Sequence, residues 1–297
     1  MLEFKKPEIE DKEWVDKCLS YAQSMNCEYT FGNIYLWSTA YRTKIANYNN
    51  LLICKWGKDE DTFYSLPIGN GDFKDAIEEI IKDATNSGIK AKFGGVTENY
   101  KELLNQYFPN EFLFTHDDGN NDYIYNVSDL ANLSGKKYHG KRNHITNFKK
   151  NNPSWTYEEI NENNISECIE LHTNWINVKD DNDPDYSLEF ESVLTGFENY
   201  GKLGLFGGII RVDGKAVAYT YGERLNDKCF VSHFEKAPAD IQGAYAIINQ
   251  EFAKRLLEKG YELVNREEDL GIEGLRKAKQ SYKPVLWLNK DYAIYEG

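Results

Sequence analysis

No CxxC pair occurs in this 297-residue chain, and its five cysteines (Cys18, Cys27, Cys54, Cys168 and Cys229) are scattered and odd in number. That usage excludes a disulfide-stapled scaffold and fits reduced thiols. The cysteines and the five histidines form no ligand-spaced set, so no metal site is expected. Positive charge is scarce: 35 Lys and Arg stand against 48 Asp and Glu, a formal net charge of −13. This argues against a protein built mainly to grip nucleic acid or an anionic membrane. The longest uncharged stretch, 29–41, is too short and too polar for a spanning helix, which needs ~18 or more mostly apolar residues. The first six residues are charged and lack an apolar h-region, so no signal peptide and a cytoplasmic location are expected. GxSxG, Walker A and HExxH motifs are all missing.

What remains is a chain with enough apolar residues, 41%, to bury a core and avoid disorder. At ~150 residues per domain it holds about two domains. The first half opens with helical patterns at 10–24 and from Thr30, a candidate N-cap. A hairpin follows, 44–48 and 51–56 around Asn49-Asn50, a pair that tolerates positive φ. Next come a strand at 62–68, a helix at 73–86 capped by Asp72 and closed by Gly88, a strand at 89–94 and a helix at 98–107. A strand pair at 111–116 and 122–127 ends the half. The second half repeats the order: helices at 164–177 and 186–199, then a hairpin, 203–212 and 215–223, around Asp213-Gly214. A strand at 228–234, a helix at 243–258, a strand at 261–266 and a helix at 273–282 follow. Strands at 285–289 and 291–296 finish the chain. The Asn-, Lys- and Gly-rich segment 128–157 reads as the join, giving domains 1–130 and 131–297.

Three constellations carry candidate chemistry. The first is the turn into the 243–258 helix, Gln242, Gly243, Ala244 and Tyr245. Free N–H groups at a helix start suit a phosphate, and glycine permits close approach. The second is the run 265–284. Glu267 and Asp269 alternate along an extended chain and are expected on one side, able to hold or deprotonate an amine. The helix that follows offers Arg276, Lys277 and Lys279 to developing negative charge or donor phosphate. Tyr282 is a candidate general acid. His233 and Glu235 alternate with Val231 on one strand face, and either is a candidate base. The third is 130–157, with six Lys or Arg and no acid, which leaves the rest of the chain six units more negative than the whole. Lys136, Lys137, Lys141 and Arg142 are expected to face a groove and steer a polyanion rather than pair with surface acids.

The stretches 133–148 (LSGKKYHGKRNHITNF), 265–284 (NREEDLGIEGLRKAKQSYKP) and 29–37 (YTFGNIYLW) resemble a bacterial family. Its members are similar to the C-terminal catalytic domain of phosphatidylglycerol lysyltransferase. The resemblance implies two tandem GNAT-like acyltransferase domains of α/β (α+β) class, each a mixed sheet flanked by helices. It also implies transfer of an acyl or aminoacyl group from aminoacyl-tRNA or acyl-CoA to an amine or hydroxyl. The acceptor would be a small molecule, a peptide or a lipid head group. The partners would be a tRNA 3′ end or coenzyme A, used as substrates, with no permanently bound cofactor. The active cleft is expected between the domains, formed mainly by the second. The competing expectation is a ligand-binding protein that keeps the fold without catalysis.

Overall fold

The computed structural model describes residues 2–22, 24–177 and 184–297. In chain order the elements begin with α1 (Lys12–Leu19), α2 (Phe31–Leu36), β1 (Lys44–Tyr48), β2 (Leu51–Trp56), β3 (Phe63–Tyr64), β4 (Ile68–Gly69), α3 (Phe73–Asn86), β5 (Lys92–Val96), α4 (Glu98–Tyr107), β6 (Phe112–His116) and β7 (Asp122–Asn126). They continue with α5 (Val127–Asn132), α6 (His139–Asn151), β8 (Thr156–Glu159), α7 (Ile165–Asn177), α8 (Pro184–Glu198), α9 (Tyr200–Leu203), β9 (Phe206–Val212), β10 (Lys215–Arg224) and β11 (Cys229–Lys236). The last are α10 (Ala244–Glu258), β12 (Leu263–Asn265), α11 (Glu273–Ser281), β13 (Leu286–Leu288) and β14 (Asp291–Tyr295).

Local chemistry accounts for many of these boundaries. Thr30 Oγ1 accepts from Asn33 N at 3.2 Å and starts α2. Asp72 Oδ1 accepts from Asp75 N at 3.0 Å and starts α3. Such caps contribute about 1 kcal/mol each. Ala76, Ile77, Ile80 and Ala84 then line one buried face of α3. Asn49 and Asn50 both take positive φ (49° and 67°), as do Asp213 and Gly214 (50° and 78°), so both hairpins turn through the mirror-image geometry that matches strand twist.

The chain forms two compact units, and each is discontinuous. Unit 1 comprises 1–122, 268–276 and 287–297; unit 2 comprises 123–267 and 277–286. The first sheet runs β1-β2-β3-β5-β14-β6, with β4 also on β2. The second runs β13-β7-β12-β11-β10-β9-β8. The two follow one plan. A hairpin leads to a third strand, β3 or β11, that pairs in parallel with the next, β5 or β12. An antiparallel strand follows in each, β14 on β5 and β7 on β12, and β6 and β13 lie beyond them.

Those last two strands differ from the expectation. The stretches 111–116 and 122–127 do not pair with each other. β6 pairs with β14 in the first sheet, and β7 pairs with β12 in the second. Likewise 285–289 and 291–296 part, to β13 beside β7 and to β14 between β5 and β6. Each half therefore gives its last strand to the other half's sheet, and the contacts do not divide at 130/131. Nor is 128–157 a linker. It forms α5, α6 and β8, and Ile145 and Phe148 pack in one core with Ala244, Ile247 and Ile248 of α10.

Candidate functional site

In unit 2 the carboxyl ends of β11 and β12 lie side by side, where open α/β sheets place their ligands. The β10–β11 register slips between Tyr221 and Gly222, which face Phe234 and Ser232, so His233 is the extra residue of a bulge. Gly222 permits it, because a Cβ there would lie 1.8 Å from the Val231 carbonyl oxygen. A bulge re-aims its side chain. His233 Nε2 meets Glu223 Oε1 at 2.9 Å and Nδ1 meets Glu267 Oε1 at 2.8 Å. The imidazole is fully buried. Burial alone would lower its pKa, but the two carboxylates outweigh it and raise the group to about 9. At neutral pH His233 is thus an imidazolium clamp between two acids. The alternation that would put it on one face with Val231 and Glu235 is interrupted at the bulge.

Glu235 stands at the centre of a second buried group. Arg266 Nη2 donates to its Oε1 at 3.0 Å, and Asn249 Nδ2 donates to its Oε2 at 3.3 Å. Arg266 Nη1 and Asn249 Oδ1 are buried with no hydrogen-bond partner. Around them lie the rings of Tyr282 and Tyr125, 5.0 and 5.7 Å from the guanidinium carbon. Lys141 of α6 places Nζ 3.7 Å from the centre of the Tyr282 ring. Burial and the nearby Arg266 push the Lys141 amine down to about 8, against the pull of Glu235. Burial raises the Tyr282 phenol, with Arg266 opposing. Lys279 is buried and its Nζ donates to the Arg266 carbonyl, which fixes the turn that carries the guanidinium.

The three consecutive acids do not act together. Glu267 has φ +59°, so the chain is not extended there and the expected alternation fails. Glu267 turns to His233. Glu268, in unit 1, lies 3.5 Å from Lys290 Nζ. Asp269, also in unit 1 and fully buried, takes two bonds from Arg276 at 2.7 and 3.0 Å and one from Gly271 N at 2.8 Å. Arg276 therefore reaches Asp269 as expected, but in a buried bidentate pair. Arg276 belongs to unit 1, while Lys277 and Lys279 belong to unit 2. Lys277 is exposed.

At the start of α10, Gly243 has φ +86°, and a Cβ there would lie 2.6 Å from the His144 carbonyl oxygen and 3.0 Å from Phe148 Cβ. The close approach that glycine permits is to α6, rather than to a ligand. Ala244 is buried, while Gln242 and Tyr245 are exposed. The basic segment also separates. Arg142 Nη1 donates to the carbonyls of Leu133 (2.5 Å) and Gly135 (2.7 Å) and braces the turn before α6. Lys137 pairs with Asp129 at 3.2 Å, contrary to the expectation that these cations avoid surface acids. Lys136 is exposed. Lys141 alone of the four joins the Arg266 group.

Unit 1 contains a cluster that sequence patterns did not single out. Cys27 Sγ, Asp122 and Glu268 bring ligand-type atoms within 4.8 Å of one another. A cation already sits there. Lys290 Nζ lies 2.7 Å from Asp122 Oδ1, 3.2 Å from Glu28 Oε1 and 3.5 Å from Cys27 Sγ. Burial opposes this ammonium, and Asp122 with its neighbours holds its pKa well above the usual lysine value. Asn249, Arg266 and this cluster were missed because each depends on residues far apart in sequence. The one local signal was the position of Arg266 at the exit of a strand.

A family model described as "Phosphatidylglycerol lysyltransferase, C-terminal" matches residues 20–295. A solved structure of a conserved protein of unknown function from Bacteroides thetaiotaomicron VPI-5482 is 40% identical, with a TM-score of 0.93 over 99% of this chain and 100% of that one. The structure of L-PGS from Bacillus licheniformis shares the fold at 19% identity, with a TM-score of 0.60 over 86% and 84% of the two chains. An uncharacterized protein of Mycoplasmoides gallisepticum is 27% identical over 171 residues, 55% of this chain. That match covers 52% of the relative, so this chain spans about half the length of the curated relative it matches. The two sheets and their helices are GNAT-like folds in tandem. Among the described residues no helix is long and apolar enough to cross a membrane.

Proposed function

Because the chain belongs to the phosphatidylglycerol lysyltransferase C-terminal family, we propose that it transfers an aminoacyl group from aminoacyl-tRNA to a hydroxyl or amine acceptor, using the Glu235–Arg266–Asn249 cluster of unit 2. Family and fold are those of transferases. The observation that favours an aminoacyl over a plain acyl donor is the Asn249 Oδ1 atom, buried without a partner beside Glu235. Each Glu235 oxygen accepts one bond and has a lone pair to spare. An orphaned buried acceptor next to a carboxylate suits a group with several N–H donors, an α-ammonium, and an acetyl group offers none.

The ester of an aminoacyl-tRNA is already activated, so the site's main task is to hold the acyl carbon against the acceptor. The acceptor's lone pair attacks the ester carbonyl. The C–O bond to the ribose breaks, and the acceptor's proton ends on the departing ribose oxygen. Glu235, which keeps a lone pair on each oxygen beside the orphaned Asn249 Oδ1, is the acid we assign to orient the amine. The family description points to a lysyl group and a lipid hydroxyl as the first pair to test.

The test compares lysyl-tRNA, Nα-acetyl-lysyl-tRNA and acetyl-CoA as donors. Transfer from the free-amine donor, its loss on Nα-acetylation and a tenfold or greater loss in Glu235→Gln are expected. Equal use of the blocked donor, or of acetyl-CoA, would overturn the reading.

A further inference from the structure

In unit 1 the carboxyl end of β5 is the counterpart, in the shared sheet plan, of the end of β12 that carries Arg266 in unit 2. Asp291 of β14 stands opposite Val96, the last residue of β5, and Lys290 comes just before it. The loop between α1 and α2 brings Asn26, Cys27 and Glu28 to the same point, where Lys290 Nζ meets Glu28 Oε1 at 3.2 Å. The other oxygen of Glu28 turns to β5. A Cβ on Gly95 would lie 2.5 Å from Glu28 Oε2 and 3.2 Å from Asn26 Nδ2, so both atoms lie against the bare backbone of that glycine. Asn26 Oδ1 accepts from Glu28 N at 3.0 Å, which fixes the orientation of the amide. Asn26 is fully buried, and its Nδ2 has no hydrogen-bond partner. Glu28 keeps 38% of its side chain exposed. Burial of the rest, with Glu268 and Asp122 nearby, raises its pKa against the pull of Lys290. An accessible carboxylate short of positive charge thus borders a buried donor short of an acceptor, and each is costly to leave so.

We propose that unit 1 carries a ligand site of its own, in which Glu28 Oε2 takes a primary ammonium and Asn26 Nδ2 donates to a neutral carbonyl next to it. The ligand class is an α-amino ester or amide. Each half of that class answers to one atom. The ammonium brings positive charge to Glu28, which shares Lys290 with Asp122 (2.7 Å) and Glu268 (3.5 Å). The carbonyl oxygen satisfies the buried donor without adding charge, whereas a carboxylate would set a further negative charge beside these acids. A bare metal cation would leave Asn26 Nδ2 unsatisfied, because an amide N–H is no metal ligand. The site is separate from the Glu235 cluster and stands whether or not that cluster is the reactive one. Two sources carry this chemistry, an aminoacyl ester and the amino terminus of a peptide.

The experiment is an NMR titration of the wild-type chain carrying nitrogen-15 in its asparagine side chains. The Asn26 signal is the one missing from Asn26→Asp, which keeps the oxygen that accepts from Glu28 N and removes the donor. The probes are alaninamide, alanine methyl ester, alanine and ethylamine. The Asn26 signal should move with alaninamide or the ester, and the tighter of the two identifies a peptide-type or an ester source. Alanine and ethylamine, which lack the neutral carbonyl, should bind about tenfold more weakly. Glu28→Gln should weaken the preferred probe about tenfold, because the charge-assisted bond is lost. Asn26→Asp, followed by calorimetry, should abolish the preference over ethylamine, and Glu235→Gln should leave the titration of the Asn26 signal unchanged. No movement with any probe, equal binding of ethylamine, or unchanged affinity in Glu28→Gln would overturn the proposal. So would loss of the shift in Glu235→Gln, which would trace it to unit 2. A shift produced by zinc or calcium and by none of the amines would make this a metal site and overturn it as well. Acyl transfer enters none of these readouts, so a failure here leaves the proposed function untouched, and a failure of transfer leaves this site standing.

Discussion

The His233 clamp makes a pH-dependent prediction whose sign and size follow from the geometry. In the unfolded chain the imidazole titrates near 6.5, and in the folded chain near 9, because Glu223 and Glu267 each bond one ring nitrogen in a fully buried site. A raised pKa stabilises the fold where the group is protonated. The contribution is complete below about pH 6.5, declines by about 1.4 kcal/mol per pH unit between 6.5 and 9, and is gone above 9. The whole effect is about 3 kcal/mol, a large share of a typical folding free energy. Lys141 works in the opposite sense over a higher window, because its folded pKa is lowered to about 8 and it stabilises the fold as the pH rises. Wild-type curves alone would mix the two. Urea denaturation at pH 6, 7, 8 and 9 should therefore be compared with His233→Gln, which keeps a donor but cannot titrate. The stability difference between the two proteins should shrink by about 3 kcal/mol from pH 6 to pH 9. An imidazole NMR titration should give a midpoint near 9. A flat difference, or a midpoint near 6.5, would refute the clamp.

Two further substitutions test other parts of the fold. Lys290→Met leaves the fully buried Asp122 without its cation and should cost about 3–5 kcal/mol in urea denaturation, with Asp122→Asn in the same chain recovering part of the loss. Gly243→Ala forces an L side chain to φ +86° and a Cβ to within 2.6 Å of a carbonyl oxygen, so a loss of about 2–4 kcal/mol is expected, measured in the same way.

Much of the fold was legible because it is locally determined. Asn49-Asn50 and Asp213-Gly214 name their hairpins by tolerating positive φ, and Thr30 and Asp72 name their helix starts by side-chain chemistry. These signals act within four residues. The destination of a strand is a different matter. Residues 122–126 and 291–295 read correctly as strands, but strand character says nothing about which edge accepts them. The strand pair expected at 111–116 and 122–127 implies a tight turn at Asp118-Gly119 between them. The structure instead uses that stretch for a 3-10 turn, in which Gly119 accepts from Leu270 N at 2.9 Å. The order of elements in the two halves was visible; the exchange of their last strands was not.

The candidate site shows the same division at the scale of single residues. Of the residues singled out by type and position, Glu235 bonds the Arg266 guanidinium and the Tyr282 ring lies beside it. The error lay in treating Glu267, Glu268 and Asp269 as one acidic group. That reading assumed extended backbone, in which alternate side chains share a side. A glutamate at φ +59° is an uncommon conformation, and three bonds hold it there. Its N–H donates to Asn265 Oδ1 at 2.7 Å, its carbonyl accepts from Tyr123 N at 3.1 Å, and its carboxylate is fixed by His233. Each bond comes from a residue of unit 2, so the conformation is imposed by the fold around it. A strained backbone of this kind costs about 1–3 kcal/mol and persists only where its surroundings over-determine it. Here it sends three adjacent carboxylates to three separate cations, His233, Lys290 and Arg276, while the preceding residue, Arg266, turns to Glu235. Arg266 stands directly beside those acids in sequence, and the φ angle that parts it from them is a property of tertiary structure.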